Sequence, residues 1–336
     1  MTPPLLVTTR TPLRIGFAGG GTDLPAFYEK ESGSVLSSTI DKYLYVTVKR
    51  HHRLFGEKYR LNYSETERAD KLDEIKNEIA RECLRFLGVK HHVYISTIAD
   101  LPGSSGLGSS SSFCVGLLNA LHAFIGKREV SAAQLAEEAC HIEIDVLRKP
   151  IGRQDQYAAA FGGFNHFFFH KGGKVTISHK HLPGRQLDQL FDNLLLFWTG
   201  ISRSADAVLK EQQKNTAREF QRLREMRDLS DRLWASVENG TDIADLGQIL
   251  HEGWERKRLL TGSISNPQID RWYKRAVKAG AHGGKLCGAG GGGFLLFVVP
   301  KAKRAAVCKA LSELTRVDLQ YESHGSKVIY TQQDSA

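Results

Sequence analysis

The chain has 336 residues, of which 41% are hydrophobic and 25% are charged, a composition that excludes a disordered or fibrous protein. This length exceeds what one hydrophobic core usually supports, so we expect two domains. The formal net charge of +9 at pH 7 favours anionic partners. Basic residues nevertheless alternate with acidic ones and form no dense tract with interleaved aromatics, so nucleic acid is not an expected partner.

Cysteine spacing and hydropathy bear on the cellular compartment. The five cysteines lie far apart, with no C-x-x-C pair and no histidine at metal-ligand spacing. Residues 1–10 lack the apolar core of a signal peptide, and no apolar run approaches the roughly 18–20 residues that cross a bilayer. We therefore expect a reduced, cytoplasmic protein without a membrane partner.

The first half of the chain combines short apolar runs with glycine-rich turns. Strands are predicted at residues 13–18, 43–48, 92–98 and 164–169, and a further one at 194–198. This mixture indicates an α+β fold. Long helical patterns follow the last run, so we place the domain boundary near residue 190, which gives domains 1–190 and 191–336.

The second half shows apolar residues at three- and four-residue spacing, which predicts helices across residues 220–233 and 243–254. A third helix has clear ends, with Asn266 as N-cap, Pro267 at the first helical position and Gly280 as the stop. Strands predicted at residues 294–299 and 327–330 complete a small α/β sandwich at the C-terminal end.

The strongest local motif is PGSSGLGSSSS at residues 102–112, which leads directly into an apolar helical segment at 113–124. Glycines allow close approach of a ligand and point successive N–H groups at one anion, and a helix N-terminus adds a favourable dipole. Phosphate is the expected guest. No lysine follows Gly108, so a Walker-type site is excluded. The alternative, a flexible linker, is disfavoured by the helix that follows.

A second glycine cluster, GGKLCGAGGGG at residues 283–293, contains the pattern G-x-G-x-x-G from Gly288 to Gly293. A dinucleotide-binding fingerprint must follow a strand and open a helix. This cluster is expected to follow a helix and open a strand, so the dinucleotide interpretation fails. A bulged turn without a ligand remains the alternative.

A third cluster, at residues 10–23, places Arg14 on a predicted strand before a triple-glycine turn that ends in Asp23. Such a turn leaves room for a bulky ligand. Asp23 is suited to hydrogen-bond sugar hydroxyls, and it is equally suited to be the N-cap of a helix at residues 24–29. Both interpretations stay open from the sequence.

The segment from Glu143 to Tyr157 is predicted as a helix end followed by a turn that carries Asp155. Phosphoryl transfer needs cradled phosphates, a divalent cation held by oxygen ligands and a carboxylate near the attacking hydroxyl. Ser110, Glu143 and Asp155 are candidates for these parts. For each carboxylate alone, a solvated or capping acid is the commoner case.

Together and in this order, the segments 12–23, 102–112 and 286–294 resemble the three motifs of the GHMP kinases, and the resemblance covers most of the chain. It implies an N-terminal domain like domain 2 of ribosomal protein S5 and a ferredoxin-like C-terminal domain, with ATP between them. The protein would then be an ATP- and magnesium-dependent kinase.

The resemblance also implies roles for single residues. Asp155 would act on the acceptor hydroxyl with Arg14 beside it, and Ser110 and Glu143 would hold Mg²⁺. The residues expected against ATP are Pro102, Gly103, Ser104, Ser105, Gly106, Leu107, Gly108, Ser109, Ser110 and Ser111. The residues expected against the acceptor are Gly20, Gly21, Thr22, Asp23, Arg153, Gly290 and Gly291.

The acceptor is expected to be a sugar. Galactokinases and mevalonate kinases carry Gly-Glu-His where this chain has three glycines at residues 19–21, while the spacing at 152–156 is similar to that of sugar kinases. Segments 19–28 and 35–43 are most similar to the bacterial D-glycero-D-manno-heptose 7-phosphate kinases, with the kinase domain of L-fucokinase a close relative. Both act on an anomeric hydroxyl, which implies phosphorylation at C1 to a 1,7-bisphosphate.

An acceptor that already carries a phosphate needs cations at its far end. The candidates are Lys42, Arg148, Lys149, Arg153 and Arg203. One rival interpretation is a kinase of a neutral sugar, which would share every catalytic residue. Another is an inactive, sugar-sensing regulator on the same fold, which would be marked by loss of the acid, but Asp155 is present. The oligomeric state and the anomer produced stay open.

Overall fold

The structure, a computed structural model, describes residues 4–127, 129–179, 184–202, 205–240 and 242–333. In these ranges the strands are β1 (Leu6–Ala18), β2 (Gly33–Arg50), β3 (Tyr59–Asn62), β4 (Thr66–Ala69), β5 (Val93–Ala99), β6 (Phe164–Phe169), β7 (Val175–His179), β8 (Leu194–Trp198), β9 (Gly283–Leu286), β10 (Phe294–Val298), β11 (Thr315–Val317) and β12 (Lys327–Gln332). The α-helices are α1 (Pro25–Tyr28), α2 (Glu78–Phe86), α3 (Ser109–Phe124), α4 (Ala132–Cys140), α5 (Gln154–Phe161), α6 (Gly184–Asp192), α7 (Ala205–Asn215), α8 (Phe220–Glu238), α9 (Ile243–Lys257), α10 (Pro267–Lys278) and α11 (Arg304–Ala310).

The larger of two sheets is built around the long strand β2. Its main path runs β12-β1-β2-β5-β3-β4, and β6 and β7 extend it beside the first part of β2. Residues 33–38 of β2 pair with β6 and residues 44–50 pair with β5, while β1 follows the opposite edge. Arg14 therefore lies in the second half of β1, which stays paired with β2 as far as Ala18, directly before the triple-glycine turn.

The smaller sheet has the order β11-β8-β10-β9, with every pair antiparallel. Helices α7 to α10 connect β8 to β9, and α11 connects β10 to β11. This is the β-α-β-β-α-β connection of ferredoxin-like folds. The α+β class and both domain architectures are thus as predicted.

One apolar cluster joins the two sheets. Leu13 and Ile15 of β1 are buried together with Leu196 of β8, Phe294 of β10 and Leu233 of α8. Because close-packed apolar contacts resist sliding, this cluster fixes the glycine-rich loop after β9 relative to the loop before α3.

Several local predictions are confirmed. Strand β8 has the predicted bounds, and α10 begins at Pro267. The side chain of Asn266 accepts hydrogen bonds from the backbone N–H groups of Gln268 and Ile269, both at 3.0 Å, as an N-cap should.

The last strand does not belong to the C-terminal sandwich, contrary to the prediction. Strand β12 pairs antiparallel with β1, from Leu6 opposite Gln332 to Arg10 opposite Lys327.

The division of the chain at residue 190 stays a prediction. The glycine cluster at 283–293 also differs from expectation, because its first four residues form β9, which precedes the G-x-G-x-x-G pattern at 288–293. No helix follows that pattern, so a dinucleotide site is still excluded. None of the helices in the described ranges is long and apolar enough to cross a membrane.

Candidate active site

The loop before α3 has the backbone of an anion-binding turn. Ser104, Gly106 and Gly108 adopt left-handed conformations, with φ of 54°, 84° and 79°, and Gly108 is the N-cap of α3. Left-handed residues turn neighbouring N–H groups towards one side. The first N–H groups of α3 have no partner within the helix. Loop and helix together therefore present donors to a phosphate.

The loop between β9 and β10 packs directly against this anion-binding turn. A Cβ atom at Gly288 would clash with the Cα atom of Gly106, and one at Gly293 would clash with the carbonyl oxygen of Ser105. A Cβ at Gly106 would lie 2.6 Å from the carbonyl oxygen of Cys287. Only glycine allows two backbones to approach this closely. The β9–β10 loop thus fixes the backbone of the anion-binding turn.

Arg14 and Asp155 form a bidentate ion pair beside the turn. The Nε and Nη2 atoms of Arg14 donate to the two carboxylate oxygens of Asp155, each at 2.7 Å. The Nη1 atom of Arg14 donates to the carbonyl of Gly106 at 2.8 Å. Asp155 lies in the first turn of α5, not in a turn as predicted. Burial opposes the charge of Arg14, but the ion pair with Asp155, together with Cys287 and Asp23, outweighs burial and raises the pKa of Arg14.

Asp23 is a buried hydrogen-bond acceptor, with only 2% of its surface exposed. Its carboxylate accepts from the backbone N–H of Gly21 and from Nε2 of Gln154, both at 2.9 Å. The N-cap of α1 is Leu24, without a side-chain bond, so the capping interpretation of Asp23 is wrong. Burial and the nearby charge of Asp155 raise the pKa of Asp23, against the effect of its hydrogen bonds.

Glu143 is completely buried in a π-helical segment, His141–Val146, that continues α4. One of its carboxylate oxygens accepts from the hydroxyl of Ser110 at 2.7 Å. The other accepts from the hydroxyl of Ser111 and from Nε2 of Gln156, both at 2.7 Å. Burial raises the pKa of Glu143, while Lys149 and these hydrogen bonds act in the opposite direction.

Two adjoining cavities meet at the Arg14–Asp155 pair. The first, here called the loop cavity, is lined by the anion-binding turn, the start of α3 and the β9–β10 loop. The second, here called the Asp23 cavity, is lined by Gly20, Gly21 and Asp23. Arg14 and Asp155 line both. A phosphate donor in the loop cavity would therefore face an acceptor in the Asp23 cavity across Asp155.

Not every residue predicted against ATP lines the loop cavity. Those that do are Ser104, Gly106, Gly108, Ser109, Ser110 and Ser111. Ser105 and Leu107 are completely buried and hold the turn from behind. Pro102 and Gly103 lie at the exposed start of the loop.

Four residues predicted against the acceptor lie elsewhere. The hydroxyl of Thr22 donates to the carbonyl of Gly19 at 2.8 Å and so braces the glycine turn. Arg153 donates to Glu137 at 2.5 Å, outside both cavities. Gly290 lines the loop cavity, and the N–H of Gly291 donates to the carbonyl of Ile264 at 2.8 Å.

The cations predicted to bind a distal phosphate are not grouped. Lys42 forms an ion pair with Asp41 at 2.9 Å, Arg148 is exposed, and Lys149 lines the loop cavity. Arg203 lies outside the described residues. None of the four described candidates lines the Asp23 cavity.

Two lysines that the sequence interpretation missed do line the Asp23 cavity. They are Lys257, the last residue of α9, and Lys285 of β9. A signal was available for Lys257, because it lies seven residues after Leu250 and three after Trp254, on the apolar face of its helix. A charge at such a position is unusual and indicates a special role.

Comparison with known proteins indicates the family of this chain. Residues 73–163 match the GHMP kinases N terminal domain, and residues 226–316 match the GHMP kinases C terminal family. A D-glycero-alpha-D-manno-heptose 7-phosphate kinase of Campylobacter jejuni is 33% identical over 91% of this chain and 93% of its own length. The L-fucokinase/L-fucose-1-P guanylyltransferase of Bacteroides fragilis is 26% identical over 90% of this chain but only 35% of that protein.

Solved structures share the fold. A crystal structure described as a D-glycero-D-manno-heptose 1-phosphate kinase from Bacteroides thetaiotaomicron has a TM-score of 0.78 at 24% identity, and covers 96% of this chain and 99% of that one. A putative sugar kinase from Campylobacter jejuni has a TM-score of 0.71 at 26% identity, over 98% of this chain and 100% of that one. The matched domains and the 33% identical relative show that this chain belongs to the GHMP kinase family and is an ATP-dependent sugar kinase.

Proposed function

We propose that the protein transfers the terminal phosphoryl group of ATP to the anomeric C1 hydroxyl of D-glycero-D-manno-heptose 7-phosphate and forms the 1,7-bisphosphate. The observation that carries this proposal is the Arg14–Asp155 pair at the junction of the two cavities. The choice of acceptor is supported by the similarity to the Campylobacter heptose 7-phosphate kinase.

Asp155 is the group that accepts the proton of the attacking hydroxyl. As the C1 oxygen bonds to the terminal phosphorus, the bond from that phosphorus to the bridging oxygen of ADP breaks, and the hydroxyl proton passes to the carboxylate. The two hydrogen bonds from Arg14 hold the carboxylate in one orientation. The guanidinium also places positive charge where the phosphoryl group passes.

The triphosphate would lie against the anion-binding turn. The donors are backbone N–H groups of the anion-binding turn and of the first residues of α3, together with the hydroxyl of Ser109. Lys149, which lines the same cavity, supplies a cation. The negative charge of the triphosphate would thus be balanced by the N–H dipoles of the turn and by the ammonium of Lys149.

Magnesium would be held by Ser110 and Glu143. The site offers a buried carboxylate among hydroxyls, which are the oxygen donors that Mg²⁺ prefers. In the described ranges no cluster of three or more His, Cys, Asp and Glu side chains could hold a metal, so its other ligands would be water and the phosphates of ATP. Bound magnesium would neutralise charge on those phosphates.

A second candidate is a kinase of a neutral sugar. None of the four described cations predicted for a distal phosphate lines the Asp23 cavity, although Lys257 and Lys285 do, and this failure of the sequence prediction keeps the second candidate open. The similarity to the Bacteroides fragilis L-fucokinase protein points in the same direction. The two candidates differ only in the acceptor.

The test is a panel of acceptors scored by ATP consumption, with heptose 7-phosphate, the same heptose without phosphate, L-fucose and D-galactose. We expect kcat/KM to be highest for heptose 7-phosphate, by at least about tenfold, because one charge-assisted contact has that effect. Phosphorus NMR of the product should show a second ester on the anomeric carbon. Equal kcat/KM for the heptose and its 7-phosphate would support the neutral-sugar kinase, and an ester at another carbon would exclude C1.

A further inference from the structure

Lys257 and Lys285 form a pair of cations in the wall of the Asp23 cavity. Only 8% of the surface of Lys257 is exposed. The ammonium of Lys285 donates to the carbonyls of Gly16 at 2.7 Å and Phe17 at 3.1 Å, and that of Lys257 donates to the carbonyl of Gly288. Among the described residues, neither lysine forms an ion pair with a carboxylate.

A buried ammonium without a counter-charge is costly. Burial is the main reason that the pKa of Lys257 is lowered to about 7 and that of Lys285 to about 8. The positive charge of Arg14 also lowers the pKa of both lysines, and Lys285 lowers the pKa of Lys257. Cys287 acts in the opposite direction on both lysines, and Asp23 does so on Lys257. A bound anion would supply the missing counter-charge.

The free donors match a phosphate group. Each ammonium has three N–H donors. The carbonyl contacts use two donors of Lys285 and one of Lys257, which leaves three donors between the two lysines. A phosphate monoester presents three terminal oxygens.

The position of the pair indicates which phosphate it would meet. Both lysines line the Asp23 cavity, and neither lines the loop cavity, where the triphosphate is expected. Both also border a small recess behind the triple-glycine turn, beside Gly19, Gly20 and Leu229. The anion must therefore belong to the acceptor and lie on the side of Gly20, away from the start of α3.

We propose that Lys257 and Lys285 bind the phosphate that the acceptor already carries, and that they give the enzyme its preference for a phosphorylated sugar over a neutral one. This assignment rests on the proposed function, since it takes the acceptor to be a sugar phosphate. It replaces the five cations that were candidates from the sequence.

The test compares heptose 7-phosphate with the unphosphorylated heptose in the wild type, Lys257→Met and Lys285→Met. Methionine keeps the length of the side chain and removes its charge. In each variant we expect kcat/KM for heptose 7-phosphate to fall at least about tenfold, mainly through KM. For the unphosphorylated heptose, the change should be less than about threefold. Lys274→Met, on the exposed face of α10, is the matched control and should leave both values unchanged.

The outcomes separate this assignment from the proposed function. A wild type without preference for the 7-phosphate would overturn the proposed acceptor. A wild type that prefers the 7-phosphate, with both lysine variants keeping that preference, would overturn the role of the lysines alone. Equal losses for both acceptors would show that the lysines only brace the carbonyls of Gly16, Phe17 and Gly288, and would also overturn it. Circular dichroism of each variant verifies folding.

Discussion

The carboxylate of Asp155 differs from most acids of this chain in what surrounds it. Its partner Arg14 has a side chain that is only 7% exposed, and the pair is bidentate. The pair between Lys301 and Asp192 has a similar distance, 2.8 Å, but both side chains are largely in solvent. Exposed pairs contribute little to stability and hold no fixed geometry. Burial and bidentate contact together distinguish the catalytic candidate.

Asp155→Asn should lower kcat by about 10²–10⁴-fold, because the amide keeps the shape but cannot accept the hydroxyl proton. KM for ATP should change little, since the anion-binding turn is untouched. Steady-state kinetics with heptose 7-phosphate would measure both values. Asp192→Asn is the matched control at an exposed ion pair and should be fully active. An Asp155→Asn enzyme within threefold of the wild type would mean that another group takes the proton.

Lys257 should make stability depend on pH. The pKa of a lysine is about 10.5 in the unfolded chain and is lowered to about 7 in the fold, so the unfolded state binds more protons between these pH values. This residue therefore makes the unliganded protein less stable below pH 7, and the penalty shrinks as the pH rises towards 10.5. We expect Lys257→Met to raise the free energy of unfolding at pH 6.5 by about 1–2 kcal/mol.

Urea unfolding at pH 6.5 and pH 9 would measure this effect, with Lys274→Met as the exposed control. The advantage of Lys257→Met over the wild type should be smaller at pH 9. The same advantage at both pH values would mean that the gain comes from packing and not from the removed charge.

At the scale of elements, the sequence predicts the ends of helices and strands where those ends depend on residues that are close in the chain. Helix α10 and strand β8 have their predicted ends, since a cap or an apolar run is a local feature. Strand β9 was missed because it contains Gly283 and Gly284, which weaken strand propensity. A Cβ at Gly283 would clash with the carbonyl oxygen of Gly247 in α9, so close packing of helix on strand requires glycine there. The partner residue Gly247 is 36 residues away in the sequence, so the local pattern around β9 does not reveal this contact.

The site was predictable to a similar extent. The anion-binding turn, Asp155 and Glu143 could be proposed from motifs that have short, fixed spacing. Lys257 and Lys285 were not, because their meaning depends on a cavity that residues from distant segments enclose. Arg153 follows the motif but turns towards Glu137, which sequence spacing cannot reveal.

Gly288→Ala should raise KM for ATP at least about tenfold and lower the melting temperature. The new Cβ would displace the backbone of Gly106, and φ of 70° at this position disfavours any side chain. Nucleotide titration and thermal unfolding would measure the two effects. Gly262→Ala is the control, because its Cβ meets nothing within 4 Å and it should behave as the wild type. Unchanged ATP affinity in Gly288→Ala would mean that the β9–β10 loop does not influence nucleotide binding.

At the scale of the whole molecule, the apolar cluster shared by both sheets raises the free energy required to unfold either half alone. Leu13 and Ile15 pack in one cluster with Leu196 and Phe294. Separating the sheets would expose these side chains, at roughly 25 cal/mol for each Å² of apolar surface. The two sheets should therefore lose their structure together.

We predict a single unfolding transition in urea. All four tryptophans lie in the second half of the chain, at Trp198, Trp234, Trp254 and Trp272. Their fluorescence reports that half, whereas far-ultraviolet circular dichroism reports both. The two midpoints should coincide, as two-state unfolding requires. A fluorescence midpoint clearly above or below the dichroism midpoint would show that the halves unfold separately.

The pairing of β12 with β1 also sets an order of events during synthesis on the ribosome. About 310 residues separate the end of β1 at Ala18 from the start of β12 at Lys327. At roughly 5–20 residues per second, translation of that interval takes about 15–60 s. Throughout this time the outer edge of β1 has unpaired N–H and carbonyl groups, which are a template for pairing with other chains. Residues 6–10 of β1 are thus open to mispairing until the last strand of the chain closes that edge.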